Sequence, residues 1–167
     1  MTADRIIGID PGLNITGVGI VEKDEHDRPR AVYAGTIKPG NKLPIEQRLL
    51  VLEQGIKELI QEYRPVCLAV EETFYHKNVK AALSLGQARA AALLAAAESC
   101  LKVIELSPKT VKMAAVGTGG AAKAQVAMMI GALLGMDEPP KSPDACDALA
   151  VALAALNRIN LPTGVTA

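Results

Sequence analysis

The chain has 167 residues, half of them apolar, 22% charged and 2% aromatic, and its 18 bases balance 18 acids. That length suits one domain that buries roughly two-thirds of its unfolded surface, and the composition excludes both charge-driven disorder and any need for a disulfide or metal staple. No apolar run reaches the ~20 residues of a bilayer span, since the longest, Ala81 to Ala97, carries Gln87 and Arg89.

Arg5 to Ile9 is a short β-branched run that stops at the turn signal Asp10-Pro11-Gly12. Thr16 to Glu22 alternates Val and Ile with Gly and reads as a second strand folding back on the first. Lys23 to Arg30 is a polar loop, and Ala31 to Lys38 a third strand, which completes an antiparallel meander. Leu49, Leu52, Ile56, Leu59 and Ile60 recur at helical spacing between Pro44 and Tyr63, and Pro65 ends that helix. Val66 to Val70 is an unbroken apolar run, the pattern of a strand covered on both faces in a mostly parallel sheet.

A long Ala/Leu helix follows, from about Lys80 to Cys100, then a strand from Lys102 to Leu106. Ser107-Pro108 opens a helix, because Ser at the cap and Pro at the first helical position waste no backbone donor. Gly117, Gly119 and Gly120 interrupt the pattern and Ala121 to Leu134 resumes it. Gly135 to Lys141 is a loop, and Ser142-Pro143 repeats the start signal for a last helix, Asp144 to about Arg158. The order predicts one α/β domain over residues 1–158 with a short flexible tail, 159–167. Its mixed five-stranded sheet is a meander followed by parallel strands, with helices on both faces.

The Ala/Leu helix is apolar nearly all round, so it is expected to be buried in its own domain or against a second subunit, and a homodimer is favoured. Cys67, Cys100 and Cys146 are widely spaced in apolar sequence and are expected as small core residues in a reducing compartment. With no basic-then-apolar leader at its start, the chain is expected to be cytoplasmic and free of membranes.

Charge is unevenly spread. Between Thr73 and Met136, Lys77, Lys80, Arg89, Lys102, Lys109, Lys112 and Lys123 face only Glu98 and Glu105, which suits an anion-binding face. Four acids fall where elements end. Asp10 closes the first strand and Glu71 the fourth; Asp144 and Asp147 share one face of the last helix's first turn. Converging carboxylates repel one another and stay ionised together only around cations. Oxygen ligands without His or Cys select Mg²⁺ or Mn²⁺, and two such ions roughly 4 Å apart suit phosphodiester hydrolysis. Taken singly, each acid also fits a structural part: a helix-dipole partner, a turn residue or a solvated strand end.

Gly8-Ile9-Asp10-Pro11-Gly12 with Thr16-Gly17, then Ala69-Val70-Glu71-Glu72 with Phe74, Leu85-Gly86-Gln87-Ala88-Arg89, and Asp144-Ala145-Cys146-Asp147-Ala148-Leu149-Ala150 together resemble the RuvC family of Holliday junction resolvases. The agreement runs in register from about Arg5 to Asn157. The resemblance implies a ribonuclease H-like fold and a homodimer that makes Mg²⁺-dependent paired nicks in a four-way DNA junction, with a branch-migration complex as a further partner. It matches Asp10, Glu71, Asp144 and Asp147 to the family's catalytic, metal-binding acids. Lys112 and Lys123 match its basic residues near the junction, and Phe74 an aromatic that inserts at the crossover. Lys77, Lys80 and Arg89 are further expected phosphate contacts. Glu72 departs from the Gln expected there, and the tail lacks bases. A strand ending in Asp-x-Gly also opens actin-like ATPases and sugar kinases, and a non-catalytic branched-DNA-binding module is a second alternative.

Overall fold

The computed structural model describes residues 4–72, 78–116 and 122–159. Among them, strands β1 (Ile6–Asp10), β2 (Thr16–Lys23), β3 (Pro29–Ile37), β4 (Cys67–Glu71) and β5 (Lys102–Leu106) form one sheet in the order β3-β2-β1-β4-β5. β1, β2 and β3 pair antiparallel, and β1, β4 and β5 pair parallel, as the sequence pattern predicts. Helices α1 (Ile45–Tyr63) and α2 (Val79–Glu98) cover one face; α3 (Pro108–Val116), α4 (Lys123–Leu133) and α5 (Pro143–Ile159) cover the other.

Successive strand residues point to opposite faces, and the two cores sort accordingly. Ile7 and Ile9 of β1 and Leu68 and Val70 of β4 lie in the core under α1 and α2. Ile6, Cys67 and Ala69 lie in the core that holds α5. The parallel pairing sets Ile9 beside Val70, so Asp10 and Glu71, one residue further along their strands, both continue onto the α5 face.

α5 is the most enclosed helix. From Ala145 to Leu156 every residue is buried except Asp147, which is half-buried. It lies directly on the sheet because β1 and β2 present glycine beneath it: a Cβ at Gly8 would stand 2.3 Å from the Ala148 carbonyl oxygen, and one at Gly17 1.9 Å from that of Asp144. Ser142 starts the helix, its Oγ accepting from the Ala145 amide at 3.5 Å and its carbonyl from the Cys146 amide at 3.1 Å.

α2 is buried along one side only within this chain. Ala88, Ala91, Ala92, Ala95 and Ala96 pack on the domain, whereas Val79, Leu83 and Leu94 are 71%, 63% and 57% exposed. These three lie within roughly 60° of one another around the axis at 100° per residue. Cys67 and Cys146 are buried as expected, but Cys100 is exposed: it follows the α2 cap in left-handed backbone, φ 55°, as the helix terminates. All three are free thiols.

Candidate active site

Three acids that lie far apart in sequence line one cleft: Asp10 from the end of β1, Glu71 from the end of β4 and Asp147 from the second turn of α5. Pro108, Val111 and Lys112 of α3, Val126 of α4, and Ala150 and Val151 of α5 complete its walls. The α3 side is fixed by Ser107, whose Oγ accepts from the Thr110 amide at 3.2 Å and whose carbonyl accepts from the Val111 amide. The cleft thus joins the carboxyl ends of two parallel strands to a helix crossing the same face, a standard position for ligand sites in open α/β sheets.

Burial lifts the Glu71 carboxyl above its usual range, and the charge of Asp147 lifts it further. Crowded acids in a partly desolvated cleft carry an electrostatic strain that a cation relieves. The lining offers carboxylate oxygens and, among the described residues, neither His nor Cys, so the donor chemistry fits a hard divalent ion. Among the described residues, no three His, Cys, Asp or Glu side chains cluster tightly enough to close a coordination shell as they stand.

The other residues marked by the sequence are placed as follows. Asp144 is half-buried one turn before Asp147; its backbone rests on Gly17, and it is not among the cleft residues. Lys112 is exposed on the cleft wall, and Lys80 is exposed in the first turn of α2. Lys123 is the first residue of α4. Arg89 is only 15% exposed and its Nη2 meets Glu105 Oε2 at 2.6 Å, which spends it on the seam between α2 and β5 rather than on the cleft. Phe74 and Lys77, the Gly117 to Gly120 break and the tail from 160 to 167 lie outside the described residues, as does the side chain of Lys123.

Sequence reasoning missed Arg48 of α1, which reaches the turn after Asp10. Nothing in the apolar spacing of α1 signals it, because its partners are a backbone carbonyl and a side chain 35 and 34 positions away.

The family model for crossover junction endodeoxyribonuclease RuvC matches residues 6–155. Similar proteins of that description include one from Bradyrhizobium diazoefficiens, 46% identical over 149 residues (89% of this chain and 84% of that one). One from Moorella thermoacetica is 47% identical over 148 residues, covering 89% and 88%. The structure of Thermus thermophilus RuvC in complex with a Holliday junction substrate superposes with a TM-score of 0.85 at 34% identity, covering 93% and 94% of the two chains. The yeast mitochondrial Holliday junction resolvase Ydc2, 12% identical with a TM-score of 0.68, shares the fold.

Proposed function

The chain belongs to the RuvC family of crossover junction endodeoxyribonucleases, and on that premise we propose that it resolves four-way DNA junctions by paired nicking in recombination and repair. The fold is accordingly ribonuclease H-like. The observation that carries the reading is the convergence of Asp10, Glu71 and Asp147 on one cleft beside Lys112. Held by these carboxylates, a pair of Mg²⁺ ions, with Mn²⁺ as substitute, would supply water activation and stabilise charge on the departing oxygen.

Asp10 and Glu71 are the principal ligands in this scheme and Asp147 a further one; Asp144, one turn earlier on the same helix, completes the shell or orients the water. Lys112 and Lys123 neutralise the phosphates flanking the scissile bond. Phe74 stacks on a base exposed at the crossover, a contact worth about 1–3 kcal/mol, with Lys77 and Lys80 holding the phosphates beside it. Arg89 contributes indirectly, by seating α2 on β5 through Glu105.

Paired cuts need paired sites. The exposed apolar stripe of Val79, Leu83 and Leu94 on α2 suits a second copy of the chain, and two-fold symmetry then sets two clefts against a roughly two-fold junction. A branch-migration complex as a further partner follows from family membership alone.

The test is Asp10→Asn, assayed on an immobile labelled four-way junction with Mg²⁺. Cleavage is expected to vanish while junction binding persists. A variant that still nicks at the wild-type rate removes the scheme, and a wild-type chain that binds junctions without nicking them identifies a binding module instead.

A further inference from the structure

The turn between β1 and β2 follows Asp10 directly and is tied from two sides. From within the sheet, Thr16 (1% exposed) donates its Oγ1 hydroxyl to the Gly12 carbonyl at 2.8 Å and accepts from the Gly12 amide at 3.2 Å. From outside, Arg48 reaches over from α1. Its Nη2 donates to the Leu13 carbonyl at 2.8 Å and to Asn14 Oδ1 at 2.6 Å. Leu13 itself packs into a small separate core of Leu49 and Leu52 of α1 with Ala88 and Ala91 of α2.

This arrangement asks more of Arg48 than surface decoration would. Its Nε is buried without a hydrogen-bond partner. Leaving a buried donor unpaired costs free energy, and the side chain bears that cost while its far end grips two consecutive residues of one turn. The backbone of Pro11 to Ile15 carries the chain from Asp10 back into β2, where Gly17 pairs with Asp10.

We propose that Arg48 is a positioning residue for the active site: by clamping Leu13 and Asn14 against α1 it fixes the turn that aims Asp10 at the divalent ion. This rests on the reading of Asp10 as a metal ligand. Outer groups that orient metal ligands commonly matter by about 10- to 100-fold in metal affinity. Arg48 acts through the backbone of a turn three and four residues beyond Asp10 and not on its carboxylate, so the lower end of that range applies.

The experiment titrates Mn²⁺ into the full-length protein without DNA, following free Mn²⁺ by electron paramagnetic resonance, for wild type, Arg48→Gln, Asn14→Ala and Asp10→Asn. Arg48→Gln is expected to raise the Mn²⁺ midpoint about ten-fold while junction affinity in chelator stays at the wild-type value. Asn14→Ala, which removes one acceptor from an exposed residue and leaves the fold alone, is expected to raise it by less. A merely structural Arg48 would lower the melting temperature and leave the midpoint of the folded protein where it was; that result overturns the proposal. If Arg48→Gln does not fold, an unmoved midpoint in Asn14→Ala overturns it equally. Mn²⁺ binding indifferent to Asp10→Asn would instead sink the metal reading, and this inference with it.

Discussion

Adding one methyl group at Gly17 tests how the site is assembled, because this residue lies under the first turn of α5. A Cβ built there stands 1.9 Å from the Asp144 carbonyl oxygen, 2.4 Å from its carbon and 3.1 Å from the Ala145 nitrogen. All three are backbone atoms, so no side chain can turn aside. Real Cβ atoms scarcely ever come within 3.0 Å of such an atom, so the helix must retreat from β2 by at least about 1.1 Å. α5 cannot slide as a whole, since Ala148 bears on Gly8 and the rest of the helix is enclosed to Leu156. The displacement therefore concentrates in the turns that carry Asp144 and Asp147.

A misplacement of about 1 Å can cost about 100-fold in rate, and overpacking of this kind costs about 1–3 kcal/mol. A domain with roughly 5–15 kcal/mol in hand stays folded. Gly17→Ala is thus expected to remain cooperative by circular dichroism and to bind the junction in Ca²⁺, but to cleave it about 100-fold more slowly in single-turnover assays with Mg²⁺. Gly55→Ala is the control, since its Cβ would meet only the movable Ile37 side chain, at 3.0 Å, and it should cleave normally. If Gly17→Ala cleaves at the wild-type rate, the seating of α5 on glycine does not set the position of Asp147, and the account of the site is wrong.

Glu22, 2% exposed on β2, is ion-paired to Arg5 (2.7 Å) and Arg30; burial raises its pKa, but the two guanidiniums outweigh burial and hold it below the usual value of 4.5. Its contribution is present in full above pH 4.5 and lost as the pH falls through the lowered value. Glu22→Gln should therefore cost on the order of 1–3 kcal/mol at neutral pH, with the gap to wild type narrowing in urea melts near pH 3. A gap that stays constant would refute the pairing. Leu83→Glu, placed in the exposed stripe of α2, should convert the proposed homodimer to a monomer by light scattering with an unchanged fold; a persistent dimer would locate the interface elsewhere. Cys100→Gly should stabilise the chain by about 1 kcal/mol, because the residue sits at φ 55° where its amide meets Ala97 and the following amide meets Ala96, a helix ending that favours glycine. A lower melting temperature would contradict that. The burial of Cys67, which pushes its thiol up to about 11, predicts that Ellman's reagent reaches Cys100 first in the native protein.

The strands were legible because each carries its own signal: β-branched runs with turn residues between them. β5 falls where the pattern placed it, and the other strand ends move by no more than two residues. What local pattern could not rank was the two alanine-rich helices. Both are apolar on most sides, yet α5 is enclosed and α2 keeps a bare face. The difference lies in what passes over each. α5 is sandwiched between the sheet and α3 and α4, whereas α2 has α1 and the sheet on one side only. Cys100 was misjudged for a related reason: its neighbours are apolar, but its exposure follows from where α2 unwinds.

The candidate active site divides along the same line. Asp10 and Glu71 are neighbours because two conditions coincide. Each directly follows a residue of the α1–α2 core, Ile9 and Val70, and those residues pair in parallel register. The alternation of side chains then obliges both carboxylates onto the opposite face. The first condition is visible in sequence as an acid closing an apolar run; the second is a property of strand order. Asp147 arrives only because glycines let α5 approach the sheet, so a carboxylate on the last helix and a missing side chain on the second strand form one device. Arg48 and Arg89 were opaque for the opposite reason. A guanidinium spans several ångströms to partners that no periodicity marks, and the same residue type serves a turn in one case and an interhelical seam in the other. Residues that act through what they hold in place are therefore found by geometry, whereas the acids could be nominated by the ends of the elements that bear them.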